Sequence, residues 1–179
     1  ILAGIDGPWP ALLGANEVTV KKHGDPHVIA RLPDEEGGHP LLVAGTFGLP
    51  IASLVALRWI GCPFPIPALG AVLTLPFLLN AGNSMWGGNI PSTLAGEFSH
   101  SLSLVLVVLF MGALYRGVRA RRYAGWCAVL FALTGLAHGY GMVIATGLGL
   151  YFIAVTSEFR ATFLYLARVY VMGGLLLGF

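Results

Sequence analysis

Charge is scarce in this chain. Of its 179 residues only 10% are Asp, Glu, Lys or Arg, against roughly 25% in ordinary soluble domains. With 56% hydrophobic residues and a mean hydropathy of +0.80, this excludes a soluble domain and implies a polytopic membrane protein. The net charge of +2 is too small for a nucleic-acid partner. The two cysteines, Cys62 and Cys127, cannot make a disulfide framework and read as small packing residues. Also missing are a phosphate-binding G-x-x-x-x-G-K, a G-x-G-x-x-G before a helix, an H-E-x-x-H and any Cys/His metal-ligand spacing. Ile1–Pro10 lacks a basic n-region and a cleavage pattern, so no signal peptide is read there. The chain starts on Ile and stops inside an apolar run, and we expect a piece of a larger bundle, open at both ends.

What is present divides at residue 40. Residues 1–40 are polar and hold no run long enough to span. They read as an extracytoplasmic loop or small cap, with Glu17–Val20 as a short strand or helical turn. Residues 41–179 form a transmembrane helical domain. Leu41–Ile60 has the ~20-residue length a bilayer core requires, with Pro50 predicting a kink in its middle. Phe64–Leu79 is a shorter second span, interrupted by Pro65, Pro67 and Pro76. The polar stretch from Asn80 follows. Asn89 and Pro91 suit a helix start, and that helix is expected to continue through Leu102–Leu114 as a third span. The break at Ala137–Gly141 splits the next apolar region into Gly125–Ala137 and Met142–Val155, either two tilted crossings or a re-entrant pair. Ala161–Phe179 closes the chain, with Arg168 well inside it, where its side chain can snorkel or pair within the bundle. The expectation is an all-α, polytopic helical membrane protein of about six spans, two of them short.

The basic residues orient it. Arg116, Arg119, Arg121 and Arg122 form the densest basic cluster, which belongs in the cytoplasm beside anionic lipid head groups. Alternation then puts Arg58 and Arg160 inside as well. It puts residues 1–40, Asn80–Ser99 and His138–Tyr140 outside. Beyond residue 40, these outer segments carry no Lys or Arg.

Ionisable groups at membrane depth mark candidate sites. On a helix begun near Pro91, Thr93, Glu97, His100 and Ser101 share one face through i+3 and i+4 spacing. A carboxylate there can serve as general base, metal ligand or anchor for a sugar hydroxyl, or simply pair with His100. The sequence leaves open whether a divalent metal takes part. His138 and Tyr140 fall on the same side. They could face the same cavity and bind phosphate or hydroxyls, or act as interfacial anchors. Trp86 and Asn89, among glycines, could form a stacking and hydrogen-bonding floor for a sugar ring. Asp25 and His27 read as solvated loop charge.

Asn83-Ser-Met-Trp-Gly-Gly-Asn-Ile-Pro-Ser-Thr-Leu-Ala-Gly-Glu-Phe-Ser-His-Ser-Leu102 resembles the signature of the membrane proteins labelled 6-pyruvoyl-tetrahydropterin synthase-related. Ala30–Pro40 and Leu133-Thr-Gly-Leu-Ala-His-Gly-Tyr140 resemble flanking segments of that family. The family is similar in layout to the GT-C glycosyltransferases, multi-span enzymes that take a sugar from a polyprenyl-phosphate carrier outside the cytoplasmic face. The resemblance implies an integral protein of a prokaryotic plasma membrane, with membrane lipids and a lipid-linked sugar donor as partners. It implies an acid in an outer loop, for which Asp6 and Asp25 are the early candidates. The resulting assignment gives catalysis to Glu97 or Asp25, and substrate binding to Trp86, Asn89, His100, His138 and Tyr140. Two other classes stay open: a non-enzymatic scaffold subunit with membrane-protein partners, and a transporter built on the broken helices.

Overall fold

The structure, a computed structural model, describes residues 17–22, 25–31, 39–80, 87–94 and 97–178. The chain separates into two units, Ile1–Pro40 and Leu41–Phe179.

In the first unit β1 (Glu17–Lys22) and β2 (Asp25–Arg31) form an antiparallel pair, running from Glu17 opposite Arg31 to Lys22 opposite Asp25, with a bulge at Val18/Thr19. The β-branched residues Val18, Thr19, Val20, Val28 and Ile29 favour the extended backbone. Glu17–Val20 is therefore a strand. The all-α expectation holds for the second unit, and in the first the strand, one of the two alternatives expected for Glu17–Val20, is paired in a β-hairpin.

The second unit is helical. α1 (His39–Ile60) runs through Pro50 without ending. The expected second span becomes two short helices, α2 (Ile66–Val72) and α3 (Leu75–Leu78), parted at Leu73–Thr74. Proline explains this, since Pro67 and Pro76 each sit in a first turn, where a missing N–H costs nothing. Next come α4 (Ile90–Leu94), α5 (Phe98–Ala120), α6 (Ala124–Ala137), α7 (Gly139–Val155) and α8 (Phe159–Leu176). The helix expected to run unbroken from Pro91 is interrupted, so Thr93 and Glu97 lie on either side of a break.

Three helices among the described residues are long and apolar enough to cross a membrane: Val43–Ile60, Phe98–Ala120 and Phe159–Leu176. Ile66–Leu78, Ala124–Ala137 and Gly139–Val155 are shorter. Large apolar side chains face outward, among them Phe47 (66% exposed), Val143 (69%) and Leu175 (69%). Lipid is the solvent that tolerates this. Arg168 is exposed on α8, as snorkelling requires.

Phe110 and Leu114 of α5 form the core with Cys127 and Phe131 of α6, Ala145 of α7, and Leu166 and Val169 of α8. Cys127 is a fully buried packing residue and both cysteines are free. Tyr170 meets Phe131 edge-on at 4.9 Å and donates to the carbonyl of Ala145 at 2.9 Å. Left-handed backbone at Arg121 and Tyr123 turns α5 into α6. Arg121 then pairs with Glu158 at 2.9 Å and ties that turn to the start of α8. The arginine end of the bundle is thereby fixed.

α1 lies against α5 through small residues. A Cβ at Gly112 would stand 2.6 Å from the Cα of Ala56, and one at Gly45 would stand 3.0 Å from the Cβ of Ser101. Close backbone approach of this kind replaces hydrophobic pairing inside lipid. Gly112→Val should therefore destabilise the purified protein by ~1–3 kcal/mol, the usual cost of overpacking. Gly147→Ala meets nothing within 4 Å and should leave the thermal unfolding midpoint unchanged or slightly raised. Equal midpoints for the two variants would refute the close contact.

Candidate functional site

Opposite the arginine end, three segments converge: the polar stretch before α5, the first turn of α5 and the α6–α7 turn. The polar stretch is held from within. Gly87 and Gly88 have φ of 74° and 85°, a conformation that favours glycine. Asn89 caps α4, its Oδ1 accepting the Ser92 N–H at 3.1 Å, while its Nδ2 donates to the carbonyl of Asn80 at 2.7 Å. The capping expected from the sequence is present. Asn89 is only 4% exposed, so its amide holds the loop.

Thr93 donates to the carbonyl of Asn89 at 2.8 Å and its hydroxyl also meets that of Ser101 on α5. Thr93 and Ser101 thus come together across the helix break. The two hydroxyls are buried and satisfied, and they fasten the polar stretch to the helix that carries the site.

Glu97 is the N-cap residue of α5, yet its carboxylate does not cap the helix. It lies with the imidazoles of His100 and His138: one potential ligand atom from each falls within 4.8 Å of the others, and all three side chains are half-buried. The rings of His100 and His138 stack at 4.8 Å and 15°. Tyr140 extends the stack, 5.7 Å from His138 and 6.1 Å from His100, and is 69% exposed. Glu97, His100, His138 and Tyr140, which the sequence puts on one side of the bundle, come together in the structure.

Two fixings set the rings. A Cβ at Gly87 would run into Nδ1 of His100, so the loop backbone lies directly against that imidazole. His138 ends α6 and caps α7, with Nδ1 accepting the Tyr140 N–H at 3.3 Å. Ser103, fully buried on α5, reaches the carbonyls of Thr134 at 3.1 Å and His138 at 3.4 Å. Gly141 leaves the room for it. Ser103 was missed by the sequence reading, which took Gly87 only as one of the loop glycines and Gly141 only as the end of the Ala137–Gly141 break. A hydroxyl inside an apolar span was the available signal for Ser103.

The electrostatics follow from the chain. From Leu41 to Phe179 the only acids are Glu97 and Glu158, and Glu158 belongs to the arginine end. Helices α5 and α7 both begin at the cluster, and helix N-termini carry partial positive charge that favours an anion. One carboxylate, two imidazoles, a phenol and two helix starts form a group able to accept a proton, ligate a cation and hold phosphate oxygens. Asp25 opens β2 in the first unit. Asp6 and Trp86 lie outside the described residues.

Residues 38–179, the entire bundle with this cluster, match the model of the 6-pyruvoyl-tetrahydropterin synthase related domain, described as a membrane protein. The chain belongs to that family. Residues 1–61 are similar to a second family model, described as a putative glutamine amidotransferase. No curated protein and no solved structure matches the chain. In this 6-pyruvoyl-tetrahydropterin synthase related protein, Gly87 lies against the ring of His100, and the later Leu133–Tyr140 segment supplies His138 and Tyr140. Segments far apart in the chain thus meet at one site.

Proposed function

We propose that this family member is part of a GT-C-like glycosyltransferase, moving a sugar from a polyprenyl-phosphate donor on the extracytoplasmic side of a prokaryotic plasma membrane. The observation that carries the reading is the convergence of Glu97, His100 and His138 at the end of the bundle opposite the arginines. The positive-inside rule puts that end outside. In this reading the shorter pair α6–α7 completes the alternation by crossing and returning, as a tilted or re-entrant hairpin.

Glu97 takes the proton of the acceptor hydroxyl as the hydroxyl oxygen attacks the anomeric carbon. The bond from that carbon to the phosphate oxygen breaks, and polyprenyl phosphate leaves with the electron pair. His100, His138 and the two helix starts stabilise the phosphate charge that develops. Tyr140 presents a ring to the sugar, Trp86 is the second aromatic residue the sequence offers for it, and Asn89 holds Asn80 and Ser92 together. Asp25 is the second candidate base.

Native mass spectrometry of the full-length protein, drawn gently from its own membrane, tests the reading. A co-purifying polyprenyl-phosphate or lipid-linked sugar is expected. Stoichiometric protein partners without such a lipid would replace the transferase by a scaffold subunit.

A further inference from the structure

We infer that Glu97, His100 and His138 form a binding site for a divalent metal ion of the Zn²⁺ class, with an open position for a phosphate oxygen. The inference deepens the proposed function, since it concerns the same site, but it stands on coordination chemistry alone.

Each of the three residues offers one ligand atom within 4.8 Å of the other two. Around a tetrahedral Zn²⁺, with bonds of about 2.0–2.2 Å, ligand atoms lie roughly 3.3 Å apart. Side-chain rotations of the order of 1 Å close that difference, and all three residues flank helix starts whose backbones need not move. Two imidazoles and one carboxylate select a borderline transition ion over Mg²⁺ or Ca²⁺, which require oxygen throughout. Three protein ligands leave the fourth position of a catalytic type of site, whereas structural zinc is closed by four.

The surroundings match this use. Glu97 is the single carboxylate of the second unit at this end of the bundle. One carboxylate against a doubly charged ion leaves net positive charge, and the starts of α5 and α7 add to it. Such a site attracts an anionic oxygen to its open position. On binding, His138 gives up the exposed 3.3 Å bond from Tyr140 N–H to Nδ1. One ring nitrogen then ligates and the other carries the proton, as metal-bound imidazoles require. The Gly87 backbone lies against the His100 ring, and the Ser103 bond to the His138 carbonyl anchors the backbone that carries the second imidazole.

The test uses the full-length protein in mild detergent with any affinity tag removed. Zn²⁺ is offered by dialysis and measured by elemental mass spectrometry. Wild type should retain about one Zn²⁺ per chain, and His100→Ala or His138→Ala should lower affinity by more than the roughly 10–100-fold that losing an outer-shell partner costs. Equal retention by wild type and the double variant overturns the inference. Co²⁺ gives a second reading on wild type alone, independent of whether the variants fold. Intense visible bands of a four-coordinate, imidazole-bound ion support the site, and the weak spectrum of the six-coordinate aqua ion refutes it. Metal uptake without sugar transfer would remove the transferase reading and leave this site standing. Transfer by protein that binds neither ion would do the reverse.

Discussion

Glu97→Gln should lower sugar transfer by ~10²–10⁴-fold, the usual contribution of a positioned general base, while the protein still inserts and purifies normally. Gln keeps the shape of Glu and its hydrogen-bonding reach but cannot take a proton at neutral pH. Because the Glu97 carboxylate does not cap α5, the exchange removes no helix-start bond. The measurement is initial rate against pH in proteoliposomes with a polyprenyl-phosphate sugar. A base works only when deprotonated, so wild-type kcat/KM should fall on the acid side. The residual activity of the variant should lack that acid limb. Asp25→Asn, made in parallel, should leave both rate and profile intact. A fully active Glu97→Gln would move the base's role to Asp25, and loss in both would require two acids.

The cluster joins two demands that usually conflict. Helix starts favour anions, whereas a Glu–His–His set favours a cation. A divalent ion with one open position satisfies both, because the anion is then the ligand's own phosphate. A carboxylate bound to the ion is a poor base, so Glu97 can be a ligand during transfer only if another group takes the proton, and the two roles assigned to it are alternatives. The pH profile and the metal stoichiometry distinguish them.

Much of this could be read from the chain, and the reason is specific. Lipid forces hydrophobicity to follow helix length, so α1, α5 and α8 appear as unbroken apolar runs. α6 and α7 part at His138, inside the expected Ala137–Gly141 break, because His138 leaves the helical backbone and its ring caps α7. Alternation of crossings placed Glu97 and His138 on one side without any knowledge of packing. Three features were legible only in part. Pro67 and Pro76 marked the second apolar run as interrupted, but not that it parts into two short helices at Leu73–Thr74. The break between α4 and α5 is hidden because Thr93 and Ser101 satisfy each other across it, which periodicity reads as one continuous face. The strand pair of the first unit has only a few β-branched residues among charges to announce it.

The α6–α7 turn should prove the most sensitive point of the bundle. A Cβ at Gly141 would collide with Oγ of Ser103 and approach Cγ2 of Thr134 to 2.9 Å. Gly141→Ala should therefore cost ~1–3 kcal/mol by overpacking. Ser103→Ala removes a hydroxyl whose single proton is shared between the carbonyls of Thr134 and His138. That loss should cost ~0.5–1.5 kcal/mol, the net worth of one bond, because the Thr134 carbonyl keeps the His138 N–H at 3.0 Å. The two losses should not add. Without Oγ the worst contact at Gly141 disappears, so the double variant should be more stable than the sum by ~0.5–3 kcal/mol. The Thr134 contact remains, and rescue should stay incomplete. Thermal unfolding of the four proteins in one detergent gives the coupling. Zn²⁺ uptake by the same set reports the site, since the turn that Ser103 holds is the one that presents His138 to His100. Strict additivity would mean that Ser103 and Gly141 act apart, and that the turn is fixed by α7 packing alone.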